Sequence, residues 1–313
     1  MIRQVAQLCW EDHRDTGRFV GTPFVARDMM AIVDALGQGD KLNYWGSSYG
    51  TILGQVVASM FPERIGRILL DANLNADDYL AGTWLTGMFD TERSLANLFN
   101  DCVMSGKDLC SLADYHGKST TGESLMNEFR SKSEDVALSY QTKQQIFQPL
   151  YNPVNFPIAI KAIEDFFAGK TPDNSTDGGV RGTEWNGQQT IALFGIGCSD
   201  TTFRVQDPDD LFSVYQAHYA ESSFADVTIQ ARVACASWKF SAAERTDLNT
   251  LRNVNTSYPI LIVNGRYDPA TSLRSAWEVS TKFRGSRVVV HEGAGVSIVP
   301  ITCCATRTLT VSS

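Results

Sequence analysis

At 313 residues, 43% of them hydrophobic and 20% charged, with a formal net charge of −8, the chain has the composition of a globular protein large enough for a core domain with an insertion. No apolar run approaches the roughly 18 to 20 residues of a membrane span, and no cluster of Lys or Arg exceeds a pair. Membrane insertion and nucleic-acid binding are therefore not expected.

The opening stretch MIRQVAQLCWEDH lacks the apolar stretch of a signal peptide, so nothing in it predicts export. TPFVARDMMAIVDALG then predicts an amphipathic helix, with Thr22 as N-cap, Pro23 at the first helical position and Gly37 as the stop. KLNYWGSS reads as a short strand, TILGQVVASMFPERI as a helix ended by Pro62, and GRILLDAN as a second, almost continuously apolar strand. Strand, helix and strand in that order form a βαβ unit with a parallel sheet. From residue 76 to 245 the pattern is helical, with stretches such as DTERSLANLFNDCVM and NFPIAIKAIEDFFAG between polar loops. Sheet signal returns only at YPILIVNG and SRVVVHEG, with LRSAWEVSTKF as the helix between them. The expected architecture is an α/β core, residues 1–75 and 246–313, interrupted by a helical cap at 76–245.

Seven cysteines are scattered with no CxxC pair and no histidine at metal-ligand spacing, which argues against a zinc site. Disulfides are the functional reading, and small buried hydrophobes the alternative. Asn174 and Asn255 stand in N-glycosylation acceptor triplets, a pattern that matters only in a secreted protein.

GSSYG at residues 46–50 is a G-x-S-x-G string, common by chance, but here it lies between a strand and a helix. That is the order a nucleophile elbow requires, because a strained turn lifts the serine above the sheet and only small flanking residues let strand and helix meet so closely. Ser48 is the candidate nucleophile, and the backbone N–H of Tyr49, at the positive end of the next helix, is one candidate oxyanion donor. A second donor belongs to an earlier loop, for which the residues before the first predicted helix leave too little chain. A triad of this kind runs Ser, acid, His. Asp268 in NGRYDPAT, just past a strand, is the candidate acid, with an Asp-Pro turn as the plainer alternative and Asp71 after GRILL in reserve.

YWGSSYGTILGQVVASMFPERIGRILLDAN, CASWKF and PILIVNGRYDPATSLRSAWEVSTKFRGSRVVVHEGAG together resemble the tripeptidyl-aminopeptidase-like branch of the prolyl-iminopeptidase family of α/β-hydrolases, especially its secreted fungal and actinobacterial members. The resemblance implies an α/β-hydrolase core with a helical cap, Ser48 as nucleophile and Asp268 as triad acid. It also implies a cofactor-free serine exopeptidase that takes residues or short peptides from a free N-terminus. Oxidised cap cysteines, Cys198 with Cys235 or Cys102 with Cys110, come from the same likeness.

The pattern departs from that family in two places. The strand-rich segment that carries the family's Gly/Pro-rich oxyanion loop has no match at the N-terminal side, so the sheet is expected to be incomplete there. In addition, GAGVS places Val296 where the family has its histidine. The four histidines are His13 before the first predicted helix, His116 and His218 in the cap, and His291 at the end of SRVVVHEG. His291 alone is expected on the correct sheet edge, although a strand residue is poorly placed to curl over a nucleophile. The tail after Gly295, VSIVPITCCATRTLTVSS, lacks an amphipathic helix, and both ends of the chain are expected to diverge from the family.

The expected function is a serine hydrolase of aminopeptidase type with impaired turnover, acting on peptides or small esters. A non-catalytic binding protein on the same scaffold and a carboxylesterase are the alternatives. Asp200, Asp210 and Glu221 are the acids considered for holding a substrate ammonium group. An uncovered sheet edge predicts a route to self-association.

Overall fold

The computed structural model describes residues 2–135, 138–170, 192, 194–205, 207–297 and 309–312. Asn174, Cys303 and Cys304 lie outside the described residues. Helix α1 (Ile2–Asp12) precedes α2 (Thr22–Leu36), whose C-terminus closes on Gly37 in the left-handed conformation. The predicted N-cap is corrected by one position: Gly21 is the cap and Thr22 the first helical residue. The Thr22 backbone N–H and hydroxyl are drawn instead to the buried Asp200, at 2.7 and 2.5 Å.

Strand β1 (Leu42–Ser48) runs directly into α3 (Tyr49–Met60), and β2 (Ile65–Asn73) returns parallel to β1. The chain rejoins the sheet at β3 (Leu261–Tyr267) and β4 (Arg287–Ala294), with helix Leu273–Ser280 between them. All three pairings from β1 to β4 are parallel, and β5 (Leu309–Ser312) adds to β4 in the antiparallel sense. The order is β1-β2-β3-β4-β5, which leaves β1 at an edge of the sheet among the described residues. The helical crossovers explain the near-continuous apolar runs of β2 and β4, since both faces of a parallel sheet are covered.

Apolar side chains gather in two main clusters. One joins the sheet to its helices through Ile52, Val56, Leu70, Ile262, Val279 and Val288, and it also takes in Tyr79 and Leu80 from the short helix α4 (Ala76–Ala81). The other lies among helices of the segment 76–245 and is rich in aromatic rings, including Phe99, Phe129, Phe147 and Phe224. No strand occurs between residues 76 and 245 among the described residues, and none of the described helices is long and apolar enough to cross a membrane.

Among the described residues two disulfides, Cys102–Cys110 and Cys198–Cys235, close loops with sequence separations of 8 and 37. The entropy removed from an unfolded chain grows with the loop closed. Loss of the longer bridge through Cys235→Ala is expected to cost about 4 kcal/mol against about 2.5 for Cys110→Ala. Urea midpoints of the two variants against the parent check this order.

Candidate active site

The carboxyl ends of β1 to β4 meet at one edge of the sheet, where an open α/β sheet places its chemistry. At the end of β1 the backbone of Ser48 takes φ 55° and ψ −121°, outside the regions that L-residues ordinarily occupy. Two glycines make this turn sterically accessible. A Cβ on Gly46 would sit 2.3 Å from the Gly50 carbonyl oxygen, and one on Gly50 would sit 3.0 Å from the Tyr44 hydroxyl. Tyr44 donates to that same carbonyl at 2.8 Å, and the Thr51 hydroxyl donates to the Ser48 carbonyl at 2.6 Å. The turn is therefore tied at both ends, and the Ser48 side chain is exposed at its apex. Tyr49 opens α3, so its N–H is one of the unsatisfied donors at a helix start.

Ser48 opens on a cleft of about 450 Å³ between the sheet edge and the cap. Tyr49, Asn75, Asp78, Trp84, Phe147 and Tyr151 are among its walls. Asp78 on α4 is held there by the Thr83 hydroxyl on one oxygen and by the Thr86 N–H and hydroxyl, at 2.7 and 2.6 Å, on the other. Neither Asp210 nor Glu221 lines the cleft, and both are exposed. Asp200 is buried and spends its oxygens on Thr22 and the Tyr79 hydroxyl, so it supports the wall from behind.

Asp268 follows β3 and is fully buried. One oxygen accepts from the N–H groups of Ala270 and Thr271 at 2.9 and 2.7 Å, and the other accepts from the Thr271 hydroxyl at 2.5 Å. The Asp-Pro turn and the candidate acid are thus the same residue. Burial pushes its carboxyl up to about 7; the three hydrogen bonds oppose that shift and the Asp71 charge adds to it. The loop is braced by the cap, since the Thr91 hydroxyl donates to the Pro269 carbonyl at 2.7 Å and Leu273 N–H donates to Asp90 at 3.0 Å. Two buried asparagines that sequence reading passed over complete the brace. Asn264 accepts from Asn73 N–H at 2.7 Å and donates to the Thr271 carbonyl at 2.7 Å, coupling the ends of β2 and β3 to the Asp268 loop. An amide inside the apolar runs LLDAN and PILIVNG was the available signal, because a buried polar side chain must find partners.

The histidines are dispersed. His13 and His116 are exposed, and His218 is buried with Nε2 on the Thr83 carbonyl at 2.8 Å. His291 is corrected from a strand end to a buried strand interior: it pairs with Gly265 and Leu309, and a Cβ on Gly293 would fall 2.1 Å from its ring. It is not among the cleft walls. The Gly295 carbonyl, just before Val296, and Asp268 both flank Gly265: a Cβ there would reach Gly295 O at 3.0 Å and Asp268 Cβ at 3.9 Å. The Val296 N–H donates to the Tyr151 carbonyl at 2.9 Å, pinning this segment under the cap. Asp71, the reserve acid, is buried and accepts from the Ser297 hydroxyl at 2.6 Å. No group of three or more potential metal ligands occurs among the described residues.

A strained serine between strand and helix, a carboxylate past a later strand and a cleft beneath a helical cap are arranged as in the α/β-hydrolase fold. Residues 220–310 match the family model described as TAP-like protein. Tripeptidyl aminopeptidase of Streptomyces lividans is 27% identical over 318 residues, covering 94% of this chain and 56% of that protein. Serine protease Hip1 of Mycobacterium tuberculosis is 50% identical over 60 residues, 18% of this chain and 11% of that one. The chain is thus similar to the tripeptidyl-aminopeptidase-like α/β-hydrolases, and it spans about half the length of the tripeptidyl aminopeptidases it matches. A solved serine hydrolase from Cycloclasticus zankles aligns with TM-score 0.33 at 11% identity, over 88% of this chain and 65% of that one.

Because the folded-state pKa of Asp268 lies above the usual 3.8, the native state holds its proton more tightly than the unfolded chain does. This group's contribution to stability is expected to fall as pH rises from about 4 to about 7 and to stay flat above that. Asp268→Asn, which keeps a neutral acceptor and gains a donor for Thr271, should gain on the parent across that window by on the order of a few kcal/mol. Urea unfolding of both chains at successive pH values checks the slope.

Proposed function

We propose that this chain is a serine exopeptidase-type hydrolase in which Ser48 attacks an acyl group seated in the capped cleft, with turnover held low by the absence of a histidine at position 296. The observation that carries the reading is the positive-φ elbow of Ser48 opening on that cleft. In this reading the Tyr49 N–H stabilises the developing oxyanion, and Asp268 is the acid that would orient and charge-balance a base. We assign the base role to no residue, since His291 is buried within β4 and away from the cleft walls. Asp78 is the carboxylate on the cleft wall and supplies the counter-charge that a free peptide N-terminus needs. The likeness to tripeptidyl aminopeptidase supports peptides as the substrate class.

A fluorophosphonate probe tests the reading, because it reports an activated serine directly. The parent should label weakly and Ser48→Ala not at all, whereas Val296→His should raise labelling by about a hundredfold, the lower end of what a positioned general base supplies. Labelling that survives in Ser48→Ala, or no labelling in either the parent or Val296→His, sinks the hydrolase reading in favour of a binding protein. Peptide and ester chromogenic substrates then separate exopeptidase from carboxylesterase.

We also infer self-association through β1, whose outer edge has no strand neighbour among the described residues and which carries Trp45 at 55% exposure. Sedimentation velocity should show dimers that Trp45→Lys disperses; a parent that stays monomeric at high concentration contradicts this.

A further inference from the structure

Trp84 follows α4 in the stretch that leads into the cap, and its backbone sits at φ 49°, a left-handed conformation that bulky residues rarely adopt. Three contacts hold it there. The indole N–H donates to the Tyr79 carbonyl at 2.9 Å. The Tyr79 ring stacks nearly parallel to the indole, 4° apart in plane and 5.4 Å between centroids. The guanidinium carbon of Arg232, on helix Gln230–Ala236, lies 3.4 Å from the centre of the indole.

Arg232 is the unusual member. It is fully buried, and its Nε, Nη1 and Nη2 have no hydrogen-bond partner among the described residues. Asp78 acts on it through space, but its oxygens are occupied by Thr83 and Thr86, and no ion pair joins the two among the described residues. Burying a guanidinium without hydrogen bonds is costly, and a desolvated cation over an indole face is the setting in which cation–π attraction is strongest. Room for this arrangement is kept by glycines: a Cβ on Gly82 would come within 3.2 Å of Arg232 Nη1, and one on Gly197 within 3.1 Å of the Trp84 ring. The position of Arg232 therefore makes physical sense through Trp84. The part of Trp84 left uncovered is a wall of the cleft, beside Met88, Phe147, Tyr151 and Val227.

We propose that Trp84 is the specificity-determining residue of the Ser48 cleft, selecting peptides with apolar side chains, and that Arg232 is a positioning residue that holds Trp84 from behind without touching substrate. This rests on the reading of that cleft as the substrate site.

The test uses the full chain carrying Ser48→Ala, so that peptides bind without turnover, and isothermal calorimetry with tri-leucine amide and tri-glycine amide. Tri-leucine should bind at least about tenfold more tightly, and Trp84→Ala or Arg232→Met should reduce that ratio to about threefold or less. Arg232→Lys, which keeps a cation over the indole, should retain most of the preference. The near-UV circular dichroism of the stacked Tyr79–Trp84 pair should weaken in Arg232→Met and survive in Arg232→Lys. Trp84→Phe keeps a ring above Arg232 and keeps the claim decidable if Arg232→Met does not fold: its ratio should also drop. Equal binding of the two peptides, or a preference unchanged in Trp84→Ala and Trp84→Phe, overturns the proposal. Failure of the fluorophosphonate probe to label Ser48 defeats the hydrolase reading separately, because the calorimetric ratio does not depend on it.

Discussion

The close approach of strand β1 to helix α3 is the constraint on which the rest of the site depends. Their junction leaves no space for a Cβ at residue 46 and very little at residue 50, and it forces Ser48 into a backbone conformation that costs free energy. Such a turn persists only where its surroundings over-determine it. Here Tyr44 and Thr51 tie its two ends by hydrogen bonds, while Ile52 and Val56 of α3 sink into the sheet cluster. The strain is thus offset by the core, and its product is a serine at the apex rather than a serine in a pleat.

Around that apex the carboxylate loop is built to a different specification. Asp268 satisfies its oxygens within its own turn, and the turn is held by Asn73, Asn264 and the cap residues Asp90 and Thr91. A triad acid normally faces an imidazole that becomes cationic, which keeps the carboxylate charged. No cation is among the charges that act on Asp268 among the described residues, and burial dominates its titration. The loop is oriented by its own hydrogen bonds and needs no imidazole to hold it.

Much of the fold was legible in the residues because local rules and tertiary outcome agree. Apolar runs bounded by turn residues became β1 to β4, Gly37 became a left-handed stop, and GSSYG became an elbow. Where reading failed, a long-range partner had intervened. Thr22 gave up the capping role because Asp200, 178 positions away, takes both its donors. His291 moved from the rim to the interior because β4 continues past it to Ala294 and β5 pairs alongside, and no periodicity in SRVVVHEG announces a second strand neighbour.

From sequence alone came the class of sheet, the strand–turn–helix order around Ser48 and the position of Asp268 just past a later strand, since each depends on residues a few positions apart and on the alternation of apolar runs. Tertiary structure alone decided that Asp78 rather than Asp200, Asp210 or Glu221 faces the cleft, that both cap disulfides form, and that Arg232 lies against Trp84. Those outcomes depend on how helices far apart in the chain pack over one another, which burial and steric fit determine and which spacing along a chain does not encode.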